Sequence, residues 1–544
     1  MAQDSRIIGK HTLESLTVGM YADNRIVYRE YVQNATDAID KAITAGIVNQ
    51  DEGCIDITID TERREVRIRD NGIGIPAGTV YHALGDIGRS DKTHAENRGF
   101  RGIGRLGGLG YCTELQFITS YQGEFNKTIT LWDARELRQL LKPNNDKYES
   151  IIEVIDAVTI QDTQPEQQDA HYFEVILSGI ATGHDNLLDI ENIRDYLSQV
   201  APVPFNYNQG MELQKINNKL RELSIYPEEY KIFLHDLSSS EQIYKPYRRQ
   251  VRISDKKHDF IKDIQFFEEF RDDNTLFFFG WRGVTELSGM IKEDSVNGLR
   301  VRKRNILIGN NRTLDEFFGN NKTYQNFNRW YIGEIYVFDD NLIPNARRDD
   351  FEKNEAYFVF KQKVKNFTHK LARLPHPYSK LRSTETKLRE LPQNIEVLEN
   401  ELSSSSITEV RKSKMIEQVG KLKKKANQID PNAYTKVKQA EIHQSTNDDN
   451  TPHIEETQTP KKVEKAKRKK RKLLKELENL EEKIVTSTDY AAKRLPSHIP
   501  RTCKKQIDII FNVIDTILDE GLARELKEKI IRELQPKRKT ARRS

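Results

Sequence analysis

Hydrophobic and polar positions change rhythm several times along this chain. A short amphipathic segment, Leu13, Leu16, Val18 and Met20, leads into a helix predicted over about 24–45, which Ala45-Gly46 and the polar run 49–53 close. Strict alternation follows in Cys54–Ile59 and Glu65–Arg69, and it predicts two strands joined by the turn 61–64. A further strand is expected at Glu114–Thr119. In the second half, strands are expected at Lys231–Leu234, Leu276–Phe279, Leu299–Arg302 and Ile306–Ile308, with a helix ending at Val200. From Leu381 to Lys425 the chain turns rich in Glu, Lys and Leu, interrupted by four serines at 403–406. That pattern predicts two long helices, a coiled-coil hairpin. Ile507, Ile510, Phe511, Ile514, Ile517 and Leu518 recur at helical spacing, continued by Leu522 and Leu526.

Length and composition narrow the class. The 544 residues exceed one core and imply three to four domains. With 36% apolar and 31% charged residues the chain is globular but carries very polar segments. Its net charge of +4 says little about partners, whereas the distribution says more. Three cysteines, Cys54, Cys112 and Cys503, lie too far apart for a disulfide framework or a cysteine zinc site. No run approaches 18 apolar residues, and the first ten residues hold no apolar signal core. A cytoplasmic protein without a membrane span is expected.

Three motifs carry chemistry. In Tyr28-Arg-Glu-Tyr-Val-Gln-Asn-Ala-Thr-Asp-Ala38, Glu30, Asn34 and Asp37 stack on one helical face. Two carboxylates and an amide on one face suit a metal and a water better than a core. The second predicted strand runs into Asp70-Asn-Gly-Ile-Gly, where Gly72 and Gly74 permit backbone conformations other residues resist. A polar stretch, 88–97, then leads into Arg98–Gly110, which holds six glycines in thirteen residues: Gly99, Gly102, Gly104, Gly107, Gly108 and Gly110. Such a loop before a helix start lets backbone N–H groups approach a phosphate. Singly, each motif also reads as a solvated helix face, a hairpin turn or a flexible loop. Their order within about ninety residues is what changes the reading.

Together the three motifs resemble the nucleotide-binding domain of the GHKL ATPases, the class of DNA gyrase, heat-shock protein 90, histidine kinases and MutL proteins. The resemblance covers residues of about 5–180 and implies an α+β fold: a GHKL (Bergerat) α/β sandwich binding ATP and Mg²⁺. It implies Glu30 as general base, Asn34 as the Mg²⁺ ligand and Asp70 as acceptor of the adenine amino group. Thr119 would share the adenine contact, and Asp37 joins the nucleotide set. Gly72 and Gly74 would admit the base. The glycines between Gly99 and Gly110 would cradle the phosphates, under a lid at about 86–98. The third motif mixes two branches. Gly99-Phe-Arg-Gly102 is similar to the MutL form, and Gly104-Arg-Leu-Gly107 with Tyr111 to the heat-shock form.

The segment Ile335–Phe351 resembles the middle-domain loop of heat-shock protein 90, whose arginine reaches the γ-phosphate; that arginine would be Arg348, with Arg347 as the alternative. A surface basic turn is the plainer reading. The expected domains are 1–183, ATP-binding; 184–378, a transducer-like middle domain; 379–429, a charged helical arm; 430–460, a disordered linker; 461–536, a helical C-terminal region; and 537–544, a basic tail. The resemblance implies a homodimer whose N-terminal domains pair on ATP binding, a chaperone-like clamp acting on protein clients. The other reading is a nucleic-acid-associated clamp, MutL-like or microrchidia-like. The basic run 461–472 bears on that choice, either as a nucleic-acid contact or as a solvated helix start. No aromatic interleaves it, so base stacking is not indicated.

Overall fold

The alternation in the first half becomes one sheet. In β1 (Cys54–Asp60) and β2 (Glu65–Asp70) the apolar residues Ile55, Ile57, Ile59, Val66 and Ile68 point into the core, and the intervening polar ones do not. We analysed a computed structural model, which describes residues 9–13, 23–86, 104–142, 144–145, 147–404, 409–445, 459–486 and 495–535. The chain divides into two units, 1–372 and 373–544.

In the first unit, β1 and β2 join β3 (Glu114–Ser120), β4 (Asn126–Asp133), β5 (Thr159–Pro165), β6 (Tyr172–Ser178), β7 (Lys231–His235) and β8 (Ser240–Gln242). The strand order is β5-β4-β3-β6-β2-β1-β7-β8. Neighbours pair antiparallel except β1 with β7, which run parallel after a crossover through the helices Ile190–Val200 and Met211–Glu222. The boundary expected at residue 183 therefore falls inside a sheet, because β7 and β8 extend it from the segment assigned to the middle domain. The helix Ile26–Thr44 packs Val27, Tyr31, Val32, Ala35 and Ile39 into the same core as β1 and β2.

A hairpin of β9 (Gln250–Ser254) and β10 (Lys257–Phe260) precedes a second sheet. Its strands are β11 (Asp263–Phe270), β12 (Leu276–Val284), β13 (Gly298–Lys303), β14 (Ile306–Ile308) and β15 (Ile332–Val337), in the order β11-β12-β15-β13-β14. Every residue of β13 and β15 is buried, charged ones included. Glu334 is the hub that makes this tolerable. Its carboxylate accepts from Arg302 Nε (2.5 Å), Lys245 Nζ (2.7 Å), Tyr247 (3.0 Å) and Tyr336 (2.5 Å). Burial pushes its pKa up, but Arg302 and Lys245 outweigh burial and hold it at about 2. Arg302 also donates to the Gln199 carbonyl (2.8 Å), tying β13 to the end of the helix Ile190–Val200.

The second unit is helical: Pro375–Ser404, Glu409–Asn427, Ala433–Ser445, Thr459–Thr486, Arg501–Ile517 and Glu520–Glu533. The first, second and fourth share a core of residues at heptad-like spacing, among them Leu391, Ile395, Leu398, Met415, Val419, Leu422, Leu473, Leu477 and Leu480. Ala433–Ser445 lies in the stretch expected as a linker but forms a helix that buries Ala433 and Val437. Among the described residues no helix is long and apolar enough to cross a membrane.

Candidate active site

The helix Ile26–Thr44 lines up the first motif. Glu30 and Asp37 are buried, and Asn34 between them is half-buried. Among the described residues of that helix face, Asn34 keeps its side chain partly exposed. No group of three or more His, Cys, Asp or Glu side chains forms a metal cage among those residues. A cation here would take one amide oxygen from the protein and fill its other positions from phosphate and water, a donor set that fits Mg²⁺.

Asp70 closes β2 and sits at the far end of this helix face. Its Oδ1 accepts from the Gly72 amide (2.8 Å). The loop that follows lies against the helix: the Ile73 amide donates to the Ala38 carbonyl (3.1 Å). A Cβ on Gly72 would come within 2.6 Å of the Ala38 Cβ. Gly74 has φ +73°, and a Cβ there would fall 1.9 Å from the Ser120 carbonyl oxygen. Both glycines are thus required by close approach, and Gly74 by backbone conformation as well. Thr119 joins this end, accepting from the Ile75 amide (2.8 Å) and donating to the Tyr172 carbonyl (3.1 Å). Asp70, Gly72, Gly74 and Thr119 are one neighbourhood.

The glycine-rich segment Gly104–Gly110 forms a 3₁₀ turn against the other end of the helix. A Cβ on Gly104 would stand 2.4 Å from Glu30 Oε2, so the carboxylate lies directly against that backbone. Tyr31 fastens the segment. Its hydroxyl donates to the Arg105 carbonyl (3.0 Å) and accepts from the Gly108 amide (3.1 Å). Arg138 pins the far end through the Leu109 carbonyl (2.7 Å) and the Cys112 carbonyl (2.9 Å). Gly99, Gly102 and all of the expected lid except Asp86 lie outside the described residues.

The third contribution comes from the second sheet. Lys303 at the end of β13 is buried, and its ammonium donates to the carbonyls of Asp339 (2.9 Å) and Leu342 (2.8 Å). This fixes the start of the loop that returns through a Pro344–Phe351 bridge. Arg348 in that loop adopts φ 56°, and its carbonyl accepts from the Gly309 amide (2.7 Å). Arg348 Nε lies 3.7 Å from Glu30 Oε1, with both side chains 11% exposed. Arg347 is exposed, and its carbonyl accepts from Arg29 Nη2 (3.0 Å). Arg29 Nη2 also stands 3.4 Å from Glu30 Oε1. Glu30 is therefore flanked by two guanidiniums, one from its own helix and one from a loop over 300 residues away in sequence.

Sequence reasoning passed over Arg29, Tyr31 and Lys303. Arg29 and Tyr31 flank Glu30 inside the quoted motif, so their position was the available signal. Lys303 had none, because its acceptors are carbonyls distant in sequence.

With this geometry in hand the class is defined for one part of the chain. Residues 24–162 match the family model described as histidine kinase-, DNA gyrase B-, and HSP90-like ATPase, about a quarter of the 544 residues. The chain accordingly contains a GHKL-type ATPase domain within a mixed α+β fold. Among curated proteins it is similar to several named chaperone protein HtpG. That of Natranaerobius thermophilus is 34% identical over 87 residues, 15% of this chain and 14% of the relative. That of Roseobacter denitrificans is 31% identical over 111 residues, 18% of each chain. That of Wigglesworthia glossinidia brevipalpis is 27% identical over 144 residues, 23% of each chain. The chain thus spans between about a seventh and a quarter of the length of these relatives.

Proposed function

We propose that this protein binds ATP with Mg²⁺ and hydrolyses it to ADP and phosphate, as the motor of a heat-shock-protein-90-like clamp. The observation that carries the proposal is the meeting of Glu30, Gly104 and Arg348 at one end of a helix whose other end meets Asp70 and Thr119. A nucleotide laid along that face puts its base at Asp70 and its terminal phosphate beside Glu30.

Asp70 accepts the adenine amino group, and the glycines at 72 and 74 leave room for the ring. Asn34 offers its amide oxygen to Mg²⁺, which when bound neutralises phosphate charge; Asp37 lies one turn further along. Backbone N–H groups of the segment held by Tyr31 face the phosphates. Glu30 polarises the attacking water and takes its proton as the bond to the γ-phosphorus forms and the bond to the β-γ bridging oxygen breaks. Arg348 stabilises charge on the transferring group. A terminal phosphate competes with Glu30 for Arg348. Binding of ATP would therefore free Glu30 to meet water and pull the second sheet's loop inward.

Pairing of the N-terminal domains of two copies, action on protein clients and a cytoplasmic setting complete this reading, supported by the likeness to HtpG proteins. The test is phosphate release by the full chain beside Glu30→Gln. Wild type should turn over, and the variant should bind ATP equally well while losing about 10²-fold or more in rate. Equal rates would remove Glu30 as the base. Failure of wild type to bind ATP would remove the proposal.

A further inference from the structure

The helix Thr459–Thr486 is divided by charge. Residues 461–472 hold nine Lys or Arg and one Glu, whereas 473–486 hold two Lys and four Glu. Ala466, Leu473, Leu477, Leu480 and Ile484 are buried in one stripe. Lys461, Lys465, Arg468, Lys472 and Lys475 recur at steps of four and three on the opposite face, all exposed. That row is about 21 Å long at 1.5 Å per residue. Lys470 departs from it: its ammonium donates to the carbonyls of Asn427 (2.9 Å) and Ile429 (2.7 Å). This brings the end of the helix Glu409–Asn427, with exposed Lys424 and Lys425, beside the basic half.

A helix kept only for its core has no reason to carry this row. Lys461 and Lys462 sit in the first turn, where the helix dipole disfavours cations. The pairs 461/465, 465/469, 467/471, 468/472 and 471/475 are like charges one turn apart, which oppose helix formation. Two exposed pairs, Arg468–Glu464 (3.4 Å) and Lys472–Glu476 (3.5 Å), relieve little of this. The preceding sequence holds four acidic residues, Asp448, Asp449, Glu455 and Glu456, too few to neutralise nine cations. A polyanion would remove the repulsion. The row carries no aromatic and no apolar side chain, which argues against base stacking and against insertion into a lipid interface.

We propose that this face binds the phosphate backbone of duplex nucleic acid, without reading its sequence. A straight row of cations about one helical turn apart suits a regular line of phosphates, and the core-facing stripe keeps the row rigid. The inference stands apart from nucleotide hydrolysis, since a protein that bound duplex and no ATP would still satisfy it.

The test is fluorescence anisotropy of the full chain with two unrelated 30-base-pair DNA duplexes at several salt concentrations. Both duplexes should bind equally, with a slope of log affinity on log salt of about −4 or steeper, as five phosphate contacts require. The triple variant Lys465→Gln/Arg468→Gln/Lys472→Gln should lose at least tenfold in affinity. A control of equal charge change, Arg501→Gln/Lys505→Gln/Lys529→Gln, should stay within about twofold. Circular dichroism of both variants checks that the helices persist. The proposal fails if no duplex binds at low salt, if both variants lose affinity alike, or if polyglutamate or phosphatidylserine vesicles compete as well as DNA at equal charge.

Discussion

Tyr31→Phe isolates the fastening of the glycine-rich segment from everything else the side chain does. The ring stays, so the core packing of the helix Ile26–Thr44 is preserved. Only the hydroxyl goes, and with it the bonds to the Arg105 carbonyl (3.0 Å) and the Gly108 amide (3.1 Å). Each is worth about 1 kcal/mol net, and the buried Gly108 N–H is left without its partner. About 2 kcal/mol is then withdrawn from the conformation that would present backbone donors to phosphate. Expressed wholly in binding, that is roughly 30-fold in Kd. Adenosine, which has no phosphate, depends on the Asp70 end and should keep its affinity. Calorimetric titration of wild type and variant with ATP and with adenosine reads the difference directly. Equal losses for both ligands would mean that Tyr31 acts through general stability. No loss for either would mean that the segment holds its shape unaided.

Three further outcomes are expected. Asp70→Asn should abolish ATP binding, because an amide presents a donor where the adenine amino group needs an acceptor; a normal ATP titration would reject the adenine assignment. Gly104→Ala should displace the Glu30 carboxylate, since the new Cβ would fall 2.4 Å from Oε2, and should cut kcat while leaving ATP affinity near wild type. An unchanged kcat would show that Glu30 works from another position. Glu229 has a buried Oε1 with no hydrogen-bond partner, and burial, only partly offset by Lys245, lifts its carboxyl to about 7. The folded state holds that proton above the unfolded pKa of about 4.3, so stability falls as pH rises from about 4.5 through 7. In urea melts, Glu229→Gln should gain on wild type across that window and level off above it. A constant difference from pH 4.5 to 8 would contradict the assignment.

Much of the site could be read from local pattern. The shared face of Glu30, Asn34 and Asp37 follows from helical spacing, and Asp70 with its glycines follows a strand whose alternation is plain, whereas Thr119 is marked only by the resemblance to the GHKL domain. Those signals are local because one buried face imposes period 2 or 3.6 on neighbouring residues. The two sheets were harder. β5 is exposed at all but its first residue, so it shows no alternation. β13 and β15 are buried throughout and contain Arg300, Arg302 and Glu334, residues that read as surface until their partners are known. The parallel pairing of β1 with β7 spans more than 170 residues, and nothing local announces it.

The sequence by itself determined that a nucleotide-site helix, an Asp-Gly loop and a glycine-rich segment come in this order, followed by charged helices. The resemblance of Ile335–Phe351 to a heat-shock protein 90 loop pointed to Arg348, with Arg347 as the alternative. What only the tertiary structure decided is which charges meet. Arg29, Glu30 and Arg348 form one cluster because Arg302 at the Gln199 carbonyl and Arg304 beside Asp40 tie the second sheet to the layer that carries the motif helix, while Lys303 fixes the start of the loop that carries Arg348. A buried charge is tolerated only beside its partner, and that partner can come from any point of the chain that the fold returns to the same place.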